Sequence, residues 1–316
     1  MSKEHSEYKL CIIIPTYNSS KNIKKMLESI DLENNQFIKV IIVDDNSNME
    51  EFLETLDIAR NYPQKQIEIV KNNSLNKGAG SCRNIGLRLS KEDWVIFADS
   101  DDHFIPGYNE IIFPFLHTNF DMIYFLPTST DENNNVGNRH DGYAEYFSDY
   151  FHQKNDLSLR YKLPVVWSRI YNRNFLFDNS IIFEETIVSN DRMFAAKSGY
   201  LARKIFVSNE IIYSWDYNNN SLTTKMSKER FLVNLFVNIR VNSFYKKNLT
   251  SKEFSNVKET ITKFFALSLI RYRFGLRFSF KILFLGLKNG MSLVRFKDFE
   301  RIRNFFKNNN MYKRSE

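Results

Sequence analysis

The stretch Val95-Ile-Phe-Ala-Asp-Ser-Asp-Asp-His-Phe104 drives an apolar run straight into three carboxylates within four positions. Like charges at that spacing repel, so a buried strand that ends in them calls for a reason. Three are open: a solvated acidic turn, a calcium site, or a place where a cation meets a phosphate. An EF-hand is excluded, because no glycine follows at the required place and no glutamate closes the loop.

Outward from that stretch, short apolar runs alternate with helical spacing. Leu10–Ile14 is a continuous run rich in β-branched residues, the pattern of a strand buried on both faces. Ser19 and Ser20 read as a capping pair ahead of Ile23, Met26, Leu27 and Ile30 at helical spacing. Ile38–Val43 makes a second strand, with Phe52, Leu53 and Leu56 on a helix after it. Ile67–Val70 makes a third, and a helix over Ser81–Ser90 carries Cys82, Ile85 and Leu89 on one face. Trp94–Ala98 is the fourth strand. This βαβα order predicts an α/β fold, an open and mostly parallel sheet with helices on both faces. Phe120–Leu126 reads as a further strand, 131–141 as an Asn-rich loop, and 204–207 and 211–217 as two late strands.

Ligands bind such sheets outside the carboxyl ends of the strands. Pro15-Thr16-Tyr17-Asn18, Asp44-Asp45-Asn46-Ser47 and Asp99-Ser100-Asp101-Asp102 all stand at strand ends, so one cleft rim gathers them. A cation bound there by one or two carboxylates and completed by phosphate oxygens would be Mg²⁺ or Mn²⁺. Gly78 and Gly80 precede a helix, so backbone N–H groups could face a phosphate, although neither a P-loop nor a dinucleotide fingerprint fits. Asp191, in Val188-Ser-Asn-Asp-Arg-Met-Phe194, opens a helical pattern. There an aspartate either complements the helix dipole or serves as a base.

The chain of 316 residues has room for one large domain or a domain with an appendage, and 43% apolar content supplies its core. Cys11 and Cys82 lack ligand spacing, which predicts a reducing compartment and no disulfide. The opening MSKEHSEYKL is too polar for a secretory signal, and no apolar run approaches the ~20 residues of a membrane span. The expected location is therefore cytoplasmic. Charge is uneven: from Lys225 onward there are 21 Lys and Arg against 6 Asp and Glu, and before it 23 against 31. The Asn-rich 218–221 falls at that change of sign. It divides the chain into an α/β domain, 1–220, and a basic helical region, 221–316.

Taken together, these motifs resemble the family 2 glycosyltransferases of the GT-A fold over about residues 8 to 220. IIIPTYNSSKNIKKMLESI is similar to that family's opening strand, turn and helix, and VIIVDDNSN to its second strand end. NKGAGSCRNIGL resembles its Asn-x-Gly segment with Arg-Asn-x-Gly, and VIFADSDDHF its Asp-x-Asp strand end. VVWSRIYNRNFL resembles a stretch of the capsule, O-antigen and lipo-oligosaccharide members, with Arg169-Ile170 where Lys-Leu is usual. In SNDRMF, Asn190 replaces the usual Glu before Asp191.

The resemblance implies inverting transfer of a hexose or N-acetylhexosamine from a nucleotide donor, most often UDP-linked, to a bacterial surface glycan. It implies Asp101 as ligand to Mn²⁺ or Mg²⁺, with Asp102 second, and Asp99 toward the ribose beside Ser100. Asp45 would accept from the uracil N–H with Asp44 in support, and Arg83 would donate to a base oxygen. Thr16 and Asn18 would wall the nucleoside pocket, Pro15 and Tyr17 shape it, and Asn76 and Gly78 let the backbone pass close. Asp191 would be the general base, with Glu184 and Glu185 as supporting carboxylates. Residues 131–146, Trp167 and Trp215 would meet the acceptor. A nucleotide-sugar-binding fold without transfer activity is the alternative.

From Lys225 on, cations interleave with aromatic and aliphatic residues, as in IRYRFGLRFSFKILFLGL and VRFKDFERIRNFFKNNN. Such helices suit peripheral contact with an anionic membrane and a lipid-linked acceptor. A solvated helical subdomain packed on the body is the plainer reading. Nucleic-acid binding would leave the strand-end carboxylates unused, so no nucleic-acid partner is expected.

Overall fold

The computed structural model describes residues 7–133, 135–217 and 226–293. The chain divides into two compact units, Met1–Ser221 and Leu222–Glu316. The first is built on an eight-stranded sheet: β1 Leu10–Thr16, β2 Ile38–Asp44, β3 Ile67–Lys71, β4 Trp94–Phe97, β5 His103–Phe104, β6 Met122–Ser129, β7 Arg169–Asn172 and β8 Ile205–Trp215. Their order across the sheet is β3-β2-β1-β4-β7-β6-β8-β5. β1 pairs in parallel with both β2 and β4, and β2 with β3. Beyond β4 the sheet turns mixed, with β7 antiparallel to β4 and β6, and β8 parallel to β6 but antiparallel to β5.

The unbroken apolar runs have a direct cause. Leu10, Ile12 and Ile14 enter one core, whereas Cys11 and Ile13 enter the other, on the opposite face. Ile38, Val40 and Ile42 against Ile41 and Val43 repeat the division on β2. Each such side chain contributes about 1.5–3 kcal/mol by leaving water. Helix α1 (Ser20–Ile30) fills the first core with Ile23, Met26, Leu27 and Ile30. Helix α2 (Met49–Ala59) follows β2, and helix α3 (Ala79–Leu89) packs Cys82 and Leu87 into the second core.

Several details depart from the sequence reading. Ser19 occupies the N-cap position of α1 without a side-chain cap bond, and Ser20 instead reaches Glu51 and Glu54 of α2. On α3 the buried side carries Arg83, Asn84 and Gly86 as well as Cys82, while Leu89 is exposed. The two late strands are one. Register shifts opposite Leu126 absorb the polar Ser208–Glu210 step, where Glu210 N–H turns back onto Ser208 Oγ. The Asn-rich segment is closed by a bridge between Thr130 and Val136, and a helix begins at Asp141 and runs to Gln153. The region 131–146 is therefore loop only in its first part.

The second unit is helical over its described part, with a 21-residue helix Lys228–Asn248 and shorter ones at Ser251–Val257, Ile261–Ala266 and Leu276–Lys288. Its own small core gathers Phe231, Leu235, Ile239, Ile261, Phe264 and Ile282. Among the described residues no helix is long and apolar enough to cross a membrane. The basic segment VRFKDFERIRNFFKNNN lies outside the described residues.

Candidate active site

Parallel pairing brings the ends of β1, β2 and β4 to one rim, with Thr16 in register with Asp44. Pro15 is buried in β1, Thr16 is 3% exposed with an unpartnered Oγ1, and Tyr17 projects into solvent. Asn18 adopts a left-handed turn (φ 45°) held from both sides: its N–H donates to Ser47 Oγ (2.8 Å), and its Oδ1 accepts from Asn48 N–H (2.9 Å). Asp44 is fully buried. One of its oxygens takes Ser47 N–H at 3.1 Å and the other has no partner. Asp45 accepts from Asn72 Nδ2 (2.7 Å) and from the backbone N–H of Gly78 (2.6 Å), and each oxygen retains acceptor capacity. The Gly78 N–H is thus already engaged. Its φ of 105° is what requires glycine there, and a Cβ at Gly80 would collide with Glu184 O and Asn190. Gly78 is thus set by its backbone conformation and its bond to Asp45, and Gly80 by close packing.

The carboxylates after β4 are held from β8. Tyr213 Oη accepts from the Asp99 backbone N–H (2.8 Å) and donates to Asp102 Oδ2 (2.8 Å), while Asp216 N–H donates to Asp102 Oδ1 (2.9 Å). Asp216 in turn receives Lys25 Nζ (2.5 Å) and Thr130 Oγ1 (3.0 Å), and His103 Nδ1 lies 2.7 Å from it. Asp102 is 2% exposed, and burial, then the charges of Asp99 and Asp101, push its carboxyl well above the usual range. Both oxygens face inward to protein donors, so Asp102 positions the loop instead of offering a second metal ligand. Asp99, Ser100 and Asp101 stay at the half-exposed rim, with Ser100 Oγ 3.5 Å from Ser19 Oγ. Hard oxygen donors in that number fit a divalent cation that a diphosphate would complete. Among the described residues no group of three or more His, Cys, Asp or Glu encloses an ion alone.

Arg83 ties this rim to the candidate base. Only 6% exposed, it donates from one terminal nitrogen to Asp99 and from the other to Asn190 Oδ1 (2.7 Å), and its Nε has no partner. Each terminal nitrogen thus gives one N–H to a side chain in this structure. Asn190 is the N-cap residue of the helix Asp191–Leu201, so its replacement of Glu keeps an acceptor for Arg83 without adding charge. Burial raises the Asp191 carboxyl above its ordinary value, the charges of Arg192 and Arg83 oppose that, and Asp99 adds to it. Glu185 anchors Asn76 Nδ2 (2.7 Å) and Asn84 Nδ2 (3.1 Å). It braces the wall of the rim, and Glu184 approaches Gly80 through its carbonyl.

A family model described as glycosyl transferase family 2 matches residues 11–176, half of the chain. The chain belongs to glycosyl transferase family 2. An uncharacterized glycosyltransferase of Haemophilus influenzae is 34% identical over 110 residues, 35% of this chain and 35% of that protein. The poly(ribitol-phosphate) β-N-acetylglucosaminyltransferase TarS of Staphylococcus aureus is 26% identical over 65% of this chain and 35% of its own length. YibD of Escherichia coli, an uncharacterized glycosyltransferase, is 23% identical over 69% of this chain and 64% of its own. The chain therefore spans between about a third and two thirds of the length of these relatives. Among solved structures, S. aureus TarS with UDP-GlcNAc superposes with a TM-score of 0.62 at 20% identity, covering 84% of this chain and 74% of that one. The mannosyltransferase PcManGT of Pyrobaculum calidifontis with GDP-Man and Mn²⁺ gives 0.56 at 12% identity, covering 92% and 79%. These likenesses establish the GT-A fold.

In this family 2 chain the aromatic acceptor candidates part company. Trp167 is 5% exposed and stacks on Tyr213 (5.6 Å between centroids), so it is core. Trp215 is half-buried, with the Arg139 guanidinium 3.6 Å from its ring centroid. Sequence reasoning missed Tyr213, Asp216, His103, Lys25 and Asn72. A signal existed for Asp216 and Asn72: each stands just past the carboxyl end of an apolar strand, β8 and β3, the rule that found the other groups.

Proposed function

We propose that this enzyme transfers a sugar, with inversion, from a UDP-type donor to a hydroxyl on a bacterial surface glycan. The observation that carries the reading is Arg83, whose two terminal nitrogens join Asp99 on the donor rim to the N-cap of the helix that begins with Asp191. That bridge fixes a would-be base relative to a would-be donor site. The UDP-GlcNAc complex of TarS supports the donor class, and the poly(ribitol-phosphate) activity of TarS supports the acceptor class.

In this reading Thr16, Asn18, Asp44 and Asp45 line the nucleoside pocket, with Pro15 and Tyr17 at its mouth. Asn76 and Gly78 form its far wall. Asp99 and Ser100 face the ribose and diphosphate. Asp101 would hold Mn²⁺ or Mg²⁺, which when bound would neutralise charge on the departing diphosphate. Asp191 takes the proton from the attacking acceptor hydroxyl as the new bond forms at the anomeric carbon. Trp215, with the Arg139 guanidinium over its ring, would stand on the acceptor side. Because burial raises its pKa, Asp191 is competent as a base only above a pH higher than for an ordinary carboxylate. kcat/KM should accordingly fall on the acid side.

The test is a panel of nucleotide sugars with Mn²⁺ and a glycan acceptor. Asp191→Asn should lower kcat by about 10²–10⁴-fold while donor binding, read by calorimetry, stays within a few-fold. Near-parental kcat would remove Asp191 from the mechanism. Donor binding by the parent without hydrolysis or transfer for any sugar would favour a binding protein instead.

A further inference from the structure

The helix Leu276–Lys288 presents three separate stripes. Its Ser279, Ile282 and Gly286 are buried. Leu276, Phe280, Phe284 and Leu287 are 62%, 57%, 64% and 45% exposed. At about 100° per residue these four fall within about 80° of the helix circumference. Arg277, Lys288 and Lys281 occupy about the next 60°, against one edge of the apolar stripe. Among the described residues the Phe265 ring meets Phe280 at 5.5 Å, and the stripe still stays about half or more exposed. Across 260–293 the chain has six Lys or Arg and no Asp or Glu. Beside the helix lies an open groove of ≈ 720 Å³, lined by Lys228, Arg277 and Lys281 together with Phe274, Phe280 and Phe284.

We infer that this face is a membrane-surface contact, laying Phe280 and Phe284 at the acyl boundary of an anionic bilayer with the cations among its headgroup phosphates. Charge and size choose this occupant. A helix of 13 residues is about 20 Å long, and a stripe one helix wide falls short of the ~800 Å² per side of a stable protein interface. A second copy placed face to face would bring like-charged Arg277, Lys281 and Lys288 together, which opposes pairing. A bilayer with anionic headgroups meets both stripes at once, as in amphipathic helices that lie in the interface plane. The inference stands apart from the catalytic reading, because no residue of the face belongs to the donor rim.

The full-length chain is sedimented with vesicles of phosphatidylcholine alone or with about a third phosphatidylglycerol, at low and high salt. It should partition onto the anionic vesicles, weakly onto neutral ones, and less at high salt. Phe280→Ser with Phe284→Ser, and separately Arg277→Glu with Lys281→Glu, should each lower the partition coefficient at least tenfold. Both pairs are surface changes, and thermal melts check that the fold is kept. Donor hydrolysis in vesicle-free solution should be unchanged, so loss of chemistry and loss of partition are read separately. Equal binding to neutral vesicles, parental partition of both variants, or a concentration-dependent dimer that the variants abolish without any vesicle binding would each overturn the inference.

Discussion

Asp216 is 5% exposed yet ionised. Burial pushes its carboxyl up, and the bonds from His103 and Lys25 outweigh that and hold it at about 2. A carboxylate with a depressed native pKa adds stability above its unfolded value, and that stability is lost as pH falls through the native one. The window therefore runs from the ordinary value of 3.8 down to about 2. Asp216→Asn should cost about 2 kcal/mol at neutral pH, shrinking below pH ~4. Urea melts at pH 7 and pH 3 check this, and an equal loss at both would mean the charge is not what matters. The same residue scale separates the three carboxylates after β4. In sequence they look alike. Burial and two donors turn Asp102 inward, and only the fold, by bringing β8 beside β5, reveals that.

Gly86 shows what the packing of an element can demand. A Cβ there would overlap Ile13 Cγ2, and Ile13 is fully buried at the centre of β1. Gly86→Ala should destabilise the protein by about 1–3 kcal/mol through overpacking, although alanine favours a helix. The denaturation midpoint measures it, and a stabilised variant would contradict the contact. Strands β1, β2 and β4 and helix α1 were legible because both sheet faces are buried there and hydrophobic spacing places them, whereas β3 is only half-buried and α3 turns Arg83 and Asn84 inward. Legibility faded past β4. β5 has two residues and β7 four, too short to carry a period, and both exist through antiparallel pairing with distant strands. The helix Asp141–Gln153 has Tyr143, Tyr146, Phe147, Tyr150 and Phe151 at helical spacing, hidden behind an Asn-rich approach and Gly142. In the site, strand-end polarity found the rim, whereas the Arg83 bridge and the Tyr213 clamp depend on tertiary contacts that no spacing announces.

The molecule carries separate cores in its two units. Phe231 is fully buried in the second, with the rings of Phe264, Tyr272, Phe274 and Phe278 around it at 5.6–6.3 Å. Phe231→Ala should remove about 3–5 kcal/mol from that unit. Calorimetry should show its transition fall while the midpoint for loss of donor binding in the first unit holds. A single transition that moves as a whole would show the two cores to be one cooperative body. The Tyr213 hydroxyl also has a consequence for where the chain can be cut. The segment that matches the family, 11–176, contains Asp44, Asp45, Asp99, Asp101 and Asp102. Yet the hydroxyl that grips Asp99 and Asp102, the Asp216 amide beneath them and Asp191 itself all arrive later in the chain. A fragment drawn to the family boundary would keep Arg83 on Asp99 and Asn72 on Asp45 but lose Tyr213 and Asp216, so a piece that holds the groups after β4 as the whole chain does has to reach at least Asp216.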